Sequence, residues 1–190
     1  MTVAPSKTGA MVPVSLTLVG AGMRRKNLYV VNVDVYETSL NVSKPLLDSA
    51  KLWKSTDPIT LATVFFDTSL RSNLGLSNAA ISLRFVRSVT TSQVVEAFND
   101  AFVGLDAAEV ARFKEQLSAT VGSSGLKPGE SVTFFWIGGG GLAITKNGQL
   151  NSVFDSQAVE RRLFEVYIDP KRAVSPELLD NVVKTVASIA

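Results

Sequence analysis

Apolar and polar residues alternate with period two in several short runs of this chain, the pattern of strands packed on one face. Val14, Leu16 and Leu18 alternate with Ser15 and Thr17, which predicts a first strand over 12–19. The next stretch reads as a glycine-rich turn, Gly20-Ala-Gly22, then a basic cluster, Arg24-Arg25-Lys26, then a strand over 27–37. On that strand Tyr29, Val31, Val33 and Val35 share one face, while Leu28, Val30, Asn32, Asp34 and Tyr36 share the other. Further strands are predicted over 80–87, 131–137 and 142–153, with a turn at Gly138 to Gly141 and a tight-turn signal at Asn147-Gly148.

Helical spacing takes over between these runs. A short helix is expected from Ser43 to Trp53, with Pro45 near its start. Asp57-Pro58 begins another, the aspartate as cap and the proline in the first turn. Longer helices are predicted over 92–104, 106–119, 157–167 and 175–189. Asp106-Ala-Ala-Glu109 reads as a capping box, and Ser175-Pro176-Glu177 as a capped start. The strands come in hairpin-compatible sets, without alternating strand–helix units. The expected class is therefore α+β, an open-faced β-sandwich: a long, mainly antiparallel sheet with a layer of helices on one face. Residues 1–11 are expected to form a flexible N-terminus, and 12–190 a single domain.

Composition changes this picture in one respect. The chain has 190 residues, of which 46% are hydrophobic, and a mean hydropathy of +0.22. That apolar excess calls for a large core, an apolar cavity, or both. No apolar run reaches the ~18 residues of a membrane span. Met1 to Ala10 lacks the apolar core of a secretory signal and the arginines of a transit peptide, so no targeting segment is visible there and the sequence names no compartment.

Two absences narrow the chemistry. The chain contains neither cysteine nor histidine. Without them there is no disulfide framework, thiolate nucleophile, serine–histidine hydrolysis or zinc hydrolysis. No metal or cofactor is implied, and any catalysis must rest on Arg, Lys, Tyr, Asp, Glu or polarised hydroxyls. The net charge is +2, and Arg24-Arg25-Lys26 and Arg161-Arg162 are too short for a nucleic-acid track. Both glycine clusters lead into strands, whereas a dinucleotide loop leads into a helix N-terminus. They read as turns or close approaches in a sheet.

The remaining candidates are strand-borne cations. Arg24 stands at the mouth of the sheet, where it can meet an anion. Arg84 lies within the apolar run Ile81-Ser-Leu-Arg-Phe-Val86 and needs a partner if buried. That partner is a ligand, an internal carboxylate, or water on an uncovered face. Parity sets Arg84 apart from Ile81, Leu83 and Phe85, so it meets a ligand only if the pocket opens on its own face. Arg87 closes the strand, with a surface or rim role. Asn99 falls on or beside the apolar side of the following helix.

Gly20-Ala-Gly-Met-Arg24, a strand, and Val35-Tyr36 resemble the Gly-Ala-Gly-Val-Arg and following strand of chalcone isomerases. That family also includes fatty-acid-binding proteins and catalytically silent partner proteins. Leu83-Arg-Phe-Val86 is similar to the Arg-Leu-Val-Val strand of the fatty-acid-binding branch, whose arginine grips the lipid carboxylate. Asn99 is similar in place to an active-site asparagine of the isomerases. Leu163-Phe-Glu-Val-Tyr-Ile168 and Ala173-Val-Ser-Pro176 resemble the family's Glu-Thr-Met-Ile-Gly and Val-Ser-Pro ending.

The departures from that pattern bear on function. The isomerases use a tyrosine between the arginine strand and the asparagine, and Ser88 to Phe98 contain none. Val31 stands where they carry a threonine, and Val166-Tyr167 replace their Thr-Met pair. The resemblance thus implies non-catalytic binding of a small apolar anion, a fatty acid, by a monomer without a membrane span. Arg24 and Arg84 supply charge; Val30, Val31, Phe85, Phe98, Asn99, Val166 and Tyr167 complete the site. The alternatives are an intramolecular lyase that closes a phenolic ring using Arg24 and Asn99, and a silent partner protein.

Overall fold

The computed structural model describes residues 2–28, 31–52, 57, 60, 67 and 75–189. Two short strands, β1 (Thr2–Pro5) and β2 (Met11–Val14), form an antiparallel pair. The main sheet is antiparallel throughout: β3 (Leu16–Leu28), β4 (Val31–Ser43), β5 (Ser77–Phe85), β6 (Ser131–Ile137), β7 (Leu142–Lys146) and β8 (Gln149–Phe154), in chain order. The helices are α1 (Lys44–Leu52), α2 (Thr91–Glu96), α3 (Ala107–Val121), α4 (Gln157–Ile168) and α5 (Pro176–Ile189). No described helix is long and apolar enough to cross a membrane.

The architecture is the expected α+β sheet with a helical layer on one face. Ile81, Leu83 and Phe85 of β5 point into that layer and meet Phe98, Phe113, Phe134 and Phe164 in the main core. On the opposite face, Ala4 and Val14 of the β1–β2 pair cover Ala80, Phe135, Ile137 and Ala143. The N-terminus expected to be flexible therefore contains β1. Ser77 Oγ donates to the Pro5 carbonyl, and the Lys7 amide donates to the Gly75 carbonyl at 2.8 Å. Its alternation was too short to register as a strand.

The largest difference lies in the N-terminal third. Residues 12–19 are not one strand: β2 ends at Val14, and β3 starts at Leu16 and runs straight through the glycines and the basic cluster. The run predicted over 27–37 instead straddles the β3–β4 hairpin. Gly20 and Gly22 serve close approach rather than a turn. A Cβ on Gly20 would lie 2.6 Å from Val182 Cγ2 and 2.9 Å from its amide nitrogen. A Cβ on Gly22 would collide with the Leu178 amide nitrogen and lie 2.5 Å from Ser175 Oγ. Two missing side chains let α5 lie directly on the strand.

Elsewhere the elements follow the local chemistry. β6 spans the predicted residues, and β7 turns into β8 at Asn147 and Gly148, both with positive φ. α2 stops at Glu96, well short of residue 104. Beyond it the amides of Phe98 and Asn99 bond three residues back, as in tighter turns. Asp106 caps α3 through Ala108 and Glu109, but the Glu109 side chain accepts from Ser156 Oγ at 2.8 Å instead of closing a box. The reciprocal box belongs to Thr90 and Gln93. The helix expected from Asp57 falls almost wholly outside the described residues, although Asp57 Oδ2 accepts from the Thr60 amide at 2.9 Å.

Candidate functional site

The close seating of α5 positions the first functional side chain. Gly20, Gly22 and Arg24 alternate along β3 and share the face under α5. Ser175 caps that helix by accepting from the Leu178 amide at 3.2 Å. The segment just before the cap therefore lies over Arg24, whose Nη1 donates to the Val174 carbonyl at 3.2 Å. The Val174 amide in turn donates to the Val166 carbonyl at 3.0 Å, tying this segment to the last turn of α4.

A bulge positions the second. Arg24 pairs with Tyr36 and Arg25 with Asp34, so Val35 is an extra residue on β4. An inserted residue reverses side-chain parity along the bulged strand. Tyr36 thus joins Thr38, Leu40 and Val42 on the core side, and its ring packs on Phe85 with centroids 5.4 Å apart. Beyond the bulge, Asp34 faces solvent and takes a 3.0 Å ion pair from Arg25.

Between these strands, α2 and the end of α4 lies a cavity of about 510 Å³. Its buried wall is Leu83, Phe85, Val94, Phe98, Val166 and Tyr167, and its strand side adds Val33 and Val35. Arg24, Tyr36 and Tyr167 supply its polar end. Lys26, Arg87, Gln93, Glu96 and Asp100 stand exposed around its rim. A shallower depression of about 670 Å³ lies outside, between β3 and α5, and shares Arg24 and Val174 with the cavity wall.

The electrostatics of the polar end follow from burial. Desolvation pushes the Tyr36 phenol above the usual tyrosine range, opposed by Tyr167 and by the positive charge of Arg24. Desolvation pushes Tyr167 well above that range, with Tyr36 adding to the rise and Arg24 opposing it. Both phenols therefore stay protonated at neutral pH and can donate. The two hydroxyls act on one another, yet Tyr167 Oη has no partner at hydrogen-bonding geometry among the described residues. Arg24 has no carboxylate partner among them either. An unpaired guanidinium beside two donors, in an apolar hollow, is arranged for a ligand that only accepts hydrogen bonds.

The structure brings together Arg24, Phe85, Phe98, Val166 and Tyr167 of the residues expected from the sequence. Arg84 is elsewhere: it is exposed on the opposite face of the sheet, in register with Glu37 and Ser131. Asn99 is exposed beyond α2, where Oδ1 accepts from Lys114 Nζ at 2.5 Å, and it does not line the cavity. Val30 lies outside the described residues, and Val31 opens β4 opposite Leu28. Tyr167, expected as apolar wall, brings a hydroxyl to the polar end. Tyr36 was missed because uninterrupted alternation assigns it to the face of Asp34. Among the described residues no group of carboxylates could hold a metal ion.

The fold and site can now be set beside known proteins. The crystal structure of a fatty-acid-binding protein from Arabidopsis thaliana superposes with a TM-score of 0.70 over 100% of this chain and 98% of that one. The two are 20% identical, a likeness of fold. No curated protein matches the chain. The model of the chalcone isomerase-like family matches residues 3–178, nearly the whole length, and the chain therefore belongs to the chalcone isomerase-like family.

Proposed function

We propose that this protein binds a small apolar carboxylic acid, a fatty acid of medium chain length, without transforming it. The carboxylate sits on Arg24 and Tyr36, and the tail runs along Phe85, Val94 and Phe98. One observation carries this reading: Arg24 presents a guanidinium to an apolar cavity with no carboxylate partner among the described residues. Burying a lone carboxylate is prohibitive, and pairing it with Arg in a hydrogen-bonded geometry makes burial possible. Each buried methylene then adds about 0.8 kcal/mol. At roughly 30 Å³ per water-sized group, 510 Å³ holds on the order of seventeen non-hydrogen atoms. Dodecanoic acid fits within that. The fatty-acid-binding description of the similar Arabidopsis protein supports the same ligand class.

The test compares dodecanoic acid with its methyl ester in displacing a fluorescent fatty acid. Arg24→Ala is expected to weaken the acid by about tenfold or more, the scale of a lost charged hydrogen bond, and to leave the ester nearly unaffected. Equal losses for acid and ester would make Arg24 a structural residue. A second reading draws on the same three donors. A guanidinium flanked by two phenols is also what a developing enolate oxygen needs in an intramolecular ring closure.

A further inference from the structure

The mouth of the cavity carries opposite charges on its two lips. The strand lip is basic. Lys26 follows Arg24 by two residues on β3, so it shares the cavity-facing side, and it lies opposite Val33 of β4. Arg87 follows Phe85, the last residue of β5, by two, and the Val86 amide between them donates to the Val35 carbonyl at 3.1 Å. Lys26 and Arg87 therefore flank Val33 and Val35 from either side. The helix lip is acidic. Glu96 and Asp100 stand four residues apart, on α2 and the turns beyond it, while Val94 and Phe98 anchor that segment in the core.

Lys26, Arg87, Glu96 and Asp100 are all exposed, and none of them makes an ion pair among the described residues. Arg25 shows the contrast: it takes Asp34 in a 3.0 Å pair. Gln93, the other polar residue of the helix lip, is committed to the cap, where its Oε1 accepts from the Thr90 amide at 2.9 Å. Exposed ion pairs are worth little in water, which solvates each charge by itself. An apolar chain lying beneath the lips changes that balance. It displaces water from the mouth, and opposite charges attract more strongly as the local dielectric falls. The stems of Lys26 and Arg87 are apolar and can lie over buried methylenes while their heads reach across. We propose that the two lips form a charged clasp: Lys26 and Arg87 pair with Glu96 and Asp100 over a bound apolar chain and slow its release. The clasp rests on the reading of the cavity as a site for an apolar chain, and not on the carboxylate at Arg24.

Reversing one lip places like charges across the mouth, and reversing both restores opposite ones. The variants are Lys26→Glu with Arg87→Glu, Glu96→Lys with Asp100→Lys, and all four together. Protein loaded with dodecanoic acid or with its methyl ester is mixed rapidly with an excess of a fluorescent fatty acid, whose rising signal follows departure of the first ligand. The ester carries no charge for the rim to attract or repel. Each half-reversed variant is expected to release both ligands about fivefold faster than the wild type, a scale that two exposed ion pairs can supply. The full reversal should return both rates to within about twofold of the wild type, the coupling expected of charges that meet. Half-reversed rates equal to the wild type overturn the clasp, and so do lip effects that simply multiply in the full reversal. Acceleration confined to the acid overturns it as well, since the rim would then act on the carboxylate alone. If neither acid nor ester binds, the cavity takes no such chain and both readings fail. If Arg24→Ala weakens acid and ester equally while the reversal pattern holds, the carboxylate reading fails and the clasp stands.

Discussion

Tyr36 lies directly opposite Arg24 across the β3–β4 ladder, and it does so because Val35 is bulged out between Tyr36 and Asp34. Uninterrupted alternation of β4 would put Asp34 and Tyr36 on one face, so the carboxylate would share the phenol's side of the sheet. The bulge thus keeps the carboxylate off the face that carries Arg24 and Tyr36 and leaves it paired with Arg25 in solvent. A carboxylate on that face would neutralise Arg24 and close the site to anions. A neutral donor leaves the charge available.

Replacing Gly22 by Ala should destabilise the fold more than an ordinary surface change. The new Cβ would meet the backbone of Leu178 and the Ser175 cap, which cannot swing aside as a side-chain tip would. Overpacking of this kind costs about 1–3 kcal/mol, and each kcal/mol lowers Tm by roughly 2–4 °C at this chain length. Because the same contact seats Val174 over Arg24, Gly22→Ala should also weaken acid binding. A thermal melt and a displacement titration test both at once. An unchanged Tm would mean that α5 does not rest on the strand this closely.

These two features mark what could be read from the residues alone. Helix starts announced by local hydrogen-bonding side chains, at Asp106 and Ser175, fall where the sequence puts them, because capping is a contact within one turn. The α+β class was legible for a similar reason, since period-two and helical spacing separate cleanly after residue 77. The β3–β4 hairpin was not. Its glycines look like a turn, and only the distant α5 reveals that they are spaces for a helix backbone. The Val35 bulge has no signature in β4 itself, so parity arguments placed Tyr36 on the wrong face. Arg84 shows the converse: no bulge interrupts β5 between Ile81 and Phe85, and the parity that separates it from Leu83 and Phe85 holds in the structure.

Alkaline titration should reveal the buried phenols. Tyr36 and Tyr167 have raised pKa values in the fold, so they stay protonated where an unfolded tyrosine, near 10, ionises. The sign follows from linkage: their stabilising contribution is complete below about 10 and is lost as pH rises through the folded values. Followed by phenolate absorbance, the native protein should show a late phase that shrinks in Tyr36→Phe and in Tyr167→Phe. Arg24→Ala should move that phase to higher pH, because its charge opposes both shifts. If both phenols ionise near 10 in the folded protein, the polar end of the cavity is wet.

Glu160 provides an acid-side counterpart. It is buried at the start of α4, accepts from the Ser156 amide at 3.2 Å and the Gly141 amide at 3.4 Å, and has no cation beside it among the described residues. Desolvation raises its pKa, Asp155 raises it further, and the two amides oppose the rise. A raised carboxyl favours folding most below its unfolded value, near 4.3, and that advantage disappears as pH increases through the folded value. Relative to Glu160→Gln, the wild type should therefore lose stability across this window and run parallel to the variant above it. Urea denaturation at a series of pH values gives the comparison. Parallel curves throughout would mean that Glu160 titrates as it does in the unfolded chain.

Ring closure of a hydroxychalcone should proceed at close to its uncatalysed rate in the presence of this protein. The reaction needs a phenolate nucleophile, and therefore a base, together with donors for the enone oxygen. Arg24, Tyr36 and Tyr167 could serve the second need, which is what favours the lyase reading. The first need is unmet. The carboxylates lining the cavity, Glu96 and Asp100, stand exposed at its rim, and the buried phenols hold their protons too tightly to act as bases. A missing general base typically forfeits about 10²–10⁴ in rate. Val31 and Val166 also stand where the resemblance to the isomerases leads one to expect threonine hydroxyls, and Val166 lines the cavity as a plain apolar wall. The measurement is the loss of chalcone absorbance with and without protein, at a pH where spontaneous closure is slow. An acceleration well above background that vanishes in Arg24→Ala would overturn the carrier reading, since donors to a developing oxyanion would then be at work. It would make the donors catalytic, and the protein a lyase rather than a carrier.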